Sequence, residues 1–222
     1  MIKTIRFALV TALFSASSFA SVVSVLTPGG LNANDSVNWG QLGGDLTVVS
    51  SPFAANSVLG NLVAVTNGNN DLWVIKQGDT WNGNFNPNDM LLYNQAAGPV
   101  EIDFLAPVMS VGARFQSIDF GPYSIFITAF NSSNTLLGSA TTTGTSNGAA
   151  DGSAAFLGVL SSSADIASIF VNVQVAGSDN AFALGSLSIA EATTSAPEPS
   201  TMFLCVGGVL ACVARKFRTT RS

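Results

Sequence analysis

The alternation of side chains in VMSVGARFQS (residues 108–117) predicts a β-strand with one buried face. Every second residue is apolar and the residues between are polar or small, which is the period-two pattern of a strand. The apolar set is Met109, Val111, Ala113 and Phe115, and the opposite set is Ser110, Gly112, Arg114 and Gln116. We therefore expect this strand to lie with its apolar face on a core.

Apolar runs of this kind recur along the chain about every 8–12 residues, with turn-forming residues between them. IFVNVQV (169–175) alternates in the same way, whereas YSIFITAF (123–130) is apolar on both faces and predicts a central strand. Further strands are predicted at 46–50, 62–66, 72–76, 100–104, 135–142, 154–160 and 182–189. Together, about ten strands predict an all-β, jelly-roll-like β-sandwich in one domain over residues 21–192.

The composition excludes several classes of function. Only 9% of the residues are charged, against about 25% in an average domain. There is no histidine, and Cys205 and Cys212 both lie in a C-terminal apolar run. Residues 21–192 therefore lack the groups for Ser-His-Asp or Cys-His catalysis and for thiolate metal sites. Residues 21–200 hold 13 acidic and two basic residues, and this negative charge disfavours binding to nucleic acid.

Residues 1–20 have the pattern of a secretory signal peptide. Lys3 and Arg6 form a basic start, residues 7–14 are apolar, and small residues precede a predicted cleavage between Ala20 and Ser21. The alternative interpretation is an ordinary buried helix. The pattern predicts that the protein is exported.

A proline-rich linker is predicted at residues 193–200. It contains the candidate sorting motif Pro197, Glu198 and Pro199. Two prolines so close together favour an extended backbone without helical hydrogen bonds. Proteases bind substrates in this conformation, so the motif predicts a cleavage site.

An apolar run and a basic tail follow the linker. Residues 201–214 would span about 21 Å as a helix, against about 30 Å of hydrocarbon, so they predict a marginal transmembrane helix. Residues 215–222 form the tail, in which Arg215, Lys216 and Arg218 predict a stop on the cytoplasmic side of the membrane.

The stretch APEPSTMFLCVGGVLACVARKFR (196–218) resembles the PEP-CTERM sorting signal. It has the Pro-Glu-Pro triplet, a short apolar helix with internal glycine and an Arg/Lys cluster, and it accompanies a signal peptide. The resemblance implies recognition by an exosortase, a membrane-embedded transpeptidase similar to a cysteine protease. It also implies a Gram-negative host that makes exopolysaccharide and biofilm, a transient anchor in the inner membrane, and a final place outside the cell or on its surface. The alternative is a plain C-terminal anchor.

The body also resembles that of many PEP-CTERM proteins, in VEIDFLAPVMSVGARFQ (100–116) and IFITAFNSSNTLLGSAT (125–141) among other stretches. In that family the last strand often carries an Asp-Asn pair where this chain has Gly185 and Ser186. A ligand or calcium role of that pair is therefore not carried over.

The stretch KQGDTWNGNFNPNDMLLY (76–93) is the main candidate for a binding site. Aromatic rings stack on sugars, and amides and carboxylates bind sugar hydroxyls. The candidate glycan-binding residues are Trp81, Phe85, Tyr93 and Asp79. The alternative is a polar connection in which Trp81 and Phe85 close the end of the sandwich. Trp39 and Trp73 are predicted to pack in the core or at an edge.

Two turn-rich stretches, NGNND (67–71) and SNGAADGS (146–153), contain the oxygen ligands that Ca²⁺ prefers. They leave room for a structural calcium ion, but the favoured interpretation is that they are turn residues. No other cofactor and no specific set of metal ligands is predicted.

Glu101 and Asp103 lie on the same face of one predicted strand. Glycosidases use two carboxylates about 5–9.5 Å apart across a cleft, but no further motif supports catalysis here, so no catalytic residue is predicted. We expect an exported, non-enzymatic surface protein associated with exopolysaccharide or biofilm matrix. The alternatives are a structural or adhesive module without a glycan site and, least favoured, a secreted glycoside hydrolase.

Overall fold

The computed structural model describes residues 21–68 and 70–192. The predicted signal peptide, the linker with its Pro-Glu-Pro motif, the transmembrane helix and the basic tail lie outside the described residues. Among the residues that are described, no helix is long and apolar enough to cross a membrane.

The described chain consists of strands joined by turns and by two short 3-10 helices, Pro28–Leu31 and Trp39–Leu42. The strands are β1 (Val23–Val25), β2 (Asp35–Val37), β3 (Thr47–Val49), β4 (Phe53–Asn56), β5 (Leu62–Thr66), β6 (Leu72–Lys76), β7 (Met90–Asn94), β8 (Val100–Val108), β9 (Ser110–Ser117), β10 (Gly121–Phe130), β11 (Leu136–Ser146), β12 (Ala155–Leu160), β13 (Ile166–Val175), β14 (Ser178–Asp179), β15 (Phe182–Leu184) and β16 (Leu187–Ala190).

These strands form two antiparallel sheets around one core, which confirms the predicted all-β sandwich. The first sheet has the order β1-β12-β9-β15-β7-β6-β3, with β16 also paired to β9 and β2 paired to β16. The second sheet has the order β11-β10-β13-β8-β5-β4, and β14 pairs with β13. One hydrophobic cluster contains buried side chains from both sheets, so the core lies between them.

The predicted alternation is confirmed within β9, but Met109 lies just before the strand and is only half-buried, outside the core cluster. Val111, Ala113 and Phe115 are buried in the core between the sheets, and the intervening residues point to the outer face of the first sheet. β10 is flanked by β11 and β13, so it is an internal strand, as its apolar composition predicts.

The chain has more strands than the ten predicted. The missed ones are short: β1, β2, β4, β7 and β14 have two to five residues each. Segments of this length are too brief to show a period and are held by pairing with longer neighbours. The predicted strand 182–189 is two strands. Leu184 pairs with Phe115 but Ser188 pairs with Gly112, so Gly185 and Ser186 form a bulge that shifts the register by one residue.

The outer face of the first sheet carries a second apolar layer. One cluster there consists of Ile75, Trp81, Phe85, Leu91, Ala154 and Ala183. A smaller one consists of Val25, Leu31 and Phe156. Loops therefore cover one part of the outer face of the first sheet and leave the rest open to solvent. The candidate site lies at the boundary between these two parts.

Candidate functional site

A loop of residues 77–89 folds over the outer face of the first sheet; we call it the covering loop. Its two ends are joined, since Gln77 N–H donates to the Asp89 carbonyl (2.9 Å) and Asn88 N–H donates to the Gln77 carbonyl (3.1 Å). Phe85, in the middle of the loop, is completely buried and lies over the bulge at Gly185. The loop is thus anchored through its aromatic side chains.

A buried amide pair beneath the covering loop fixes its position. Gln116 on β9 and Asn84 in the loop are both fully buried. Gln116 Oε1 accepts from the Asn84 backbone N–H (2.7 Å) and from Trp81 Nε1 (3.3 Å), and Gln116 Nε2 donates to Asn84 Oδ1 (2.9 Å). A buried amide group without a hydrogen-bond partner is costly in free energy. Because Gln116 and Asn84 are each other's partners, the loop is stable only in the position that brings them together.

The same pair holds the turn-rich segment 146–154. Asn84 Nδ2 donates to Asn147 Oδ1 (2.8 Å) and to Ser153 Oγ (2.9 Å), and Asn84 Oδ1 accepts from Asn147 N–H (2.7 Å). Gln116 Nε2 also donates to Ser146 Oγ (2.8 Å). Two segments that are about 60 residues apart in the sequence are thereby joined over the sheet.

A row of side chains runs across the open part of the outer face. Cross-strand register places Val48, Trp73, Tyr93, Ala183 and Gln116 side by side on five adjacent strands. Trp73 and Tyr93 are half-buried, and Val48 is 48% exposed. The row therefore passes from a solvent-exposed apolar edge, through two aromatic rings, to the amide network under the covering loop.

A groove of about 260 Å³ lies along this row. Its lining is mostly apolar, and consists of Leu46, Trp73, Ile75, Thr80, Trp81, Tyr93, Gln95 and Ile118. The Trp81 and Tyr93 rings form its inner wall, with centroids 5.4 Å apart and planes inclined at 54°. Exposed Phe120 lies beyond Ile118 and lines an adjoining depression with Trp81 and Asn82. The groove offers flat apolar surfaces with polar groups at the rim.

The polar groups around the groove differ in their neighbours, and these neighbours determine which hydrogen bonds each group can offer a ligand. Burial, and secondly the charge of Asp119, raise the pKa of the Tyr93 phenol, so its hydroxyl stays protonated at neutral pH and can donate a hydrogen bond. Thr80 Oγ1 donates to the Asp45 carboxylate in a short hydrogen bond. The exposed Asp79 carboxylate lies 2.8 Å from Lys76 Nζ, and an exposed ion pair of this kind can exchange its partner easily.

The four candidate glycan residues have different environments. Tyr93 lines the groove with its ring half-exposed, and Trp81 lines it although only 5% of its surface is exposed. Phe85 has no exposed surface, so its ring presents no face to a ligand; it packs over the outer face of the first sheet and not at the end of the sandwich, where the alternative interpretation placed it. Asp79 lies in the covering loop next to groove-lining Thr80 and is exposed.

The stretch 76–93, singled out from the sequence, contains only three of the eight residues that line the groove. Trp39 is a core residue, as predicted, and its Nε1 donates to the Gly185 carbonyl (2.9 Å). Trp73 instead lies on the outer face, because Leu72 and Val74 are the buried residues of β6. A strict alternation of inward and outward side chains along LWVIK (72–76) would have predicted the outward position of Trp73. Leu46 is predicted within the strand 46–50 but lies in the turn before β3, and Ile118 lies in the bend after β9.

Of the two segments considered for calcium, 146–153 uses side-chain oxygens to accept hydrogen bonds from the protein, whereas in 67–71 an amide nitrogen donates one. In 146–153, Asn147 Oδ1 accepts from Asn84, and Asp151 Oδ1 accepts from both Ser153 N–H and Ser153 Oγ; these two bonds lower the pKa of Asp151. In 67–71, Asn67 Nδ2 donates to Asn94 Oδ1 (2.9 Å). Within residues 21–68 and 70–192, no group of three or more Asp, Glu, His or Cys side chains is arranged to hold a metal ion.

Glu101 and Asp103 lie side by side on β8, where each is half-buried on the outer face of the second sheet. Burial raises the pKa of both carboxyls, and the charge of Asp103 raises that of Glu101 further. Both come from one strand, whereas glycosidases place their carboxylates on opposite sides of a substrate.

No family model matches the chain, and no curated protein matches it. Among solved structures, a DUF4465 family protein from Bacteroides caccae is similar, with a TM-score of 0.42 and 9% sequence identity. The similarity covers 70% of this chain and 99% of that one.

Proposed function

We propose that the protein is an exported, non-enzymatic surface or matrix protein whose β-sandwich binds exopolysaccharide. The observation that carries the proposal is the groove beside the covering loop, where Trp73 and Tyr93 present half-exposed rings. Sugar rings have apolar faces that stack on such side chains, and the Tyr93 hydroxyl and the Gln95 amide can bind sugar hydroxyls.

The shape and charge of this region agree with a neutral or weakly charged sugar chain. Small molecules usually bind in enclosed pockets of about 300–1,000 Å³, whereas this groove is smaller and open. An open groove accommodates part of a long chain without requiring its end. Asp45, Asp79 and Asp119 surround it, so a highly anionic polymer would be repelled.

The sorting signal completes the proposal. We infer that the signals at the two ends of the chain deliver its jelly-roll-like sandwich to the cell surface. An exosortase would recognise Pro197, Glu198 and Pro199. Residues 201–214 would hold the chain in the inner membrane of a Gram-negative bacterium until processing. Replacing the triplet by alanines should block processing, so that a larger, membrane-associated form accumulates. Equal processing of the wild type and of the alanine variant would refute the sorting role.

A purely structural or adhesive module is the second candidate. The burial of Phe85 and most of Trp81 supports it, because these rings are engaged in packing. The two candidates differ in whether the groove binds sugar.

The experiment that separates them is affinity electrophoresis in gels that contain exopolysaccharide from the host. Migration of the full chain in detergent should be retarded, and the Trp73→Ala and Tyr93→Ala variants should each lose at least about tenfold in affinity, which corresponds to about 1.4 kcal/mol. Phe126→Ala is the matched control, since Phe126 is an exposed aromatic residue of β10 in the second sheet. Equal retardation of all variants would exclude the groove as the binding site.

A further inference from the structure

Two carboxyl groups, those of Asp35 and Glu191, lie together at one end of the sandwich, away from the groove. Asp35 begins β2, and its register partner on β16 is Ile189. Glu191 follows Ile189 by two residues, so both carboxyl groups continue the inward-facing row of Val37 and Ile189, which are buried in the core. The pair therefore lies where the space between the two sheets opens.

Only 6% of the Asp35 surface is exposed, and its two carboxylate oxygens differ in their hydrogen bonds. Oδ1 accepts from the backbone N–H groups of Ser36 (2.7 Å) and Leu59 (2.9 Å). Oδ2 is buried and has no hydrogen-bond partner. A buried carboxylate oxygen without a donor is costly, and this one lies beside the Glu191 carboxyl and the Ser57 hydroxyl.

The surroundings are rigid and rich in oxygen. The turn between β4 and β5 covers the pair, since Val58 N–H donates to the Ser36 carbonyl (2.9 Å) and Asn61 N–H donates to Ser57 Oγ (2.8 Å). Glu191 is fixed through its own N–H, which donates to Asn34 Oδ1 (2.9 Å). The two carboxyl groups thus come from the first sheet and the covering turn comes from the second.

The described part of the chain has no basic side chain available to balance this pair. It contains only two basic residues, Lys76 and Arg114. Lys76 pairs with Asp79, and Arg114 Nη1 donates to the Ala154 carbonyl (2.6 Å) on the outer face of the first sheet. The counter-charge must come from outside the described residues, as an ion or as a proton.

We propose that Asp35, Glu191 and Ser57 bind one divalent cation, of the hard, oxygen-preferring class to which Ca²⁺ belongs. Asp35 Oδ2 and the Glu191 carboxylate would be its charged ligands, the Ser57 hydroxyl a neutral one, and water would complete the shell. The ion would join β2 and β16 of one sheet to the β4–β5 turn of the other.

The protonation of the two groups agrees with this assignment. Burial raises the pKa of Asp35, but the nearby Ser57 hydroxyl, the N–H groups of Leu59 and Ser36 and the adjacent Glu191 carboxyl outweigh burial and hold its pKa below the usual value. Burial, then the charge of Asp35 and contact with its carboxyl group, raise the pKa of Glu191, and the Asn61 amide lowers it in part. Without a cation, Glu191 therefore ionises reluctantly, and a divalent ion would reverse that preference.

The test is a calcium titration of the full chain in detergent after chelator treatment, followed by calorimetry and by thermal melting. We expect saturable binding of one ion, and a rise in Tm of about 3–10 °C at about 10 mM Ca²⁺, given the affinities of extracellular calcium sites. Glu191→Gln should weaken binding at least about tenfold and reduce the rise in Tm by at least about half. Glu101→Gln, which alters the other carboxyl pair of the molecule, should leave both unchanged.

Two results would overturn the proposal. One is the absence of saturable heat in the wild type, with a Tm change no larger than NaCl of equal ionic strength produces. The pair would then share a proton, and the protein would be more stable near pH 5 than near neutrality. The other is an equal calcium response of wild type and Glu191→Gln, which would move the ion to another site. Since calorimetry reports binding directly, the absence of saturable heat in the wild type overturns the proposal even if the variant folds poorly.

Discussion

Replacing Asn84 by alanine is the sharpest test of how the covering loop is held. The side chain is fully buried and makes four hydrogen bonds, two as donor and two as acceptor. Each such bond contributes about 1 kcal/mol net, and its loss leaves buried partners unsatisfied. We expect Asn84→Ala to lower the free energy of unfolding by about 3–5 kcal/mol, which is large for one substitution.

Urea unfolding followed by tryptophan fluorescence measures this change. Asn82→Ala is the matched control, because Asn82 lies two positions away in the same loop and is exposed; it should change stability by less than about 0.5 kcal/mol. Quenching by acrylamide gives a second reading, since a loosened loop should expose Trp81. A cost below about 1 kcal/mol for Asn84→Ala, or equal effects of both variants, would refute the role of the amide network.

Other predictions concern the core and the carboxylates. Gly112→Ala would place a methyl group 2.7 Å from the Gly158 Cα and should lower Tm by several degrees, at a cost of about 1–3 kcal/mol, whereas Gly44→Ala, in open space, should not. Tyr123→Phe removes a buried 2.7 Å hydrogen bond and should cost about 1–2 kcal/mol in urea unfolding. Glu101→Gln should raise Tm at neutral pH, because folding raises the pKa of Glu101 and disfavours its charged form; the gain should vanish below about pH 4, where both states bind the proton. A gain that persists in acid would contradict this.

Long strands could be predicted from the sequence because their period is visible within the strand itself. β9 and β13 show regular alternation, and their buried faces are those expected. Short strands could not be predicted in this way. β2 has three residues, and its conformation depends on pairing with β16, about 150 residues later in the chain. Such long-range pairing leaves no local signal.

The candidate site could be predicted only in part, for the same reason. The aromatic residues of 76–93 indicated a binding region, but the local pattern does not separate the half-buried Tyr93 ring from the fully buried Phe85 ring. That difference arises because Gly185 leaves space beneath Phe85, and because Gln116 and Asn84 fix the loop over the sheet. Trp73 shares the groove with Tyr93 only through the register between β6 and β7.

The central claim is that the body of this protein binds exopolysaccharide through its groove. The most direct measurement is a binding isotherm of the purified full chain, in detergent, with exopolysaccharide from its host, with and without added calcium. The account predicts saturable binding that the Trp73→Ala variant loses and the Phe126→Ala variant keeps. An isotherm without saturation in either condition would contradict the account and leave a structural module as the function of the sandwich.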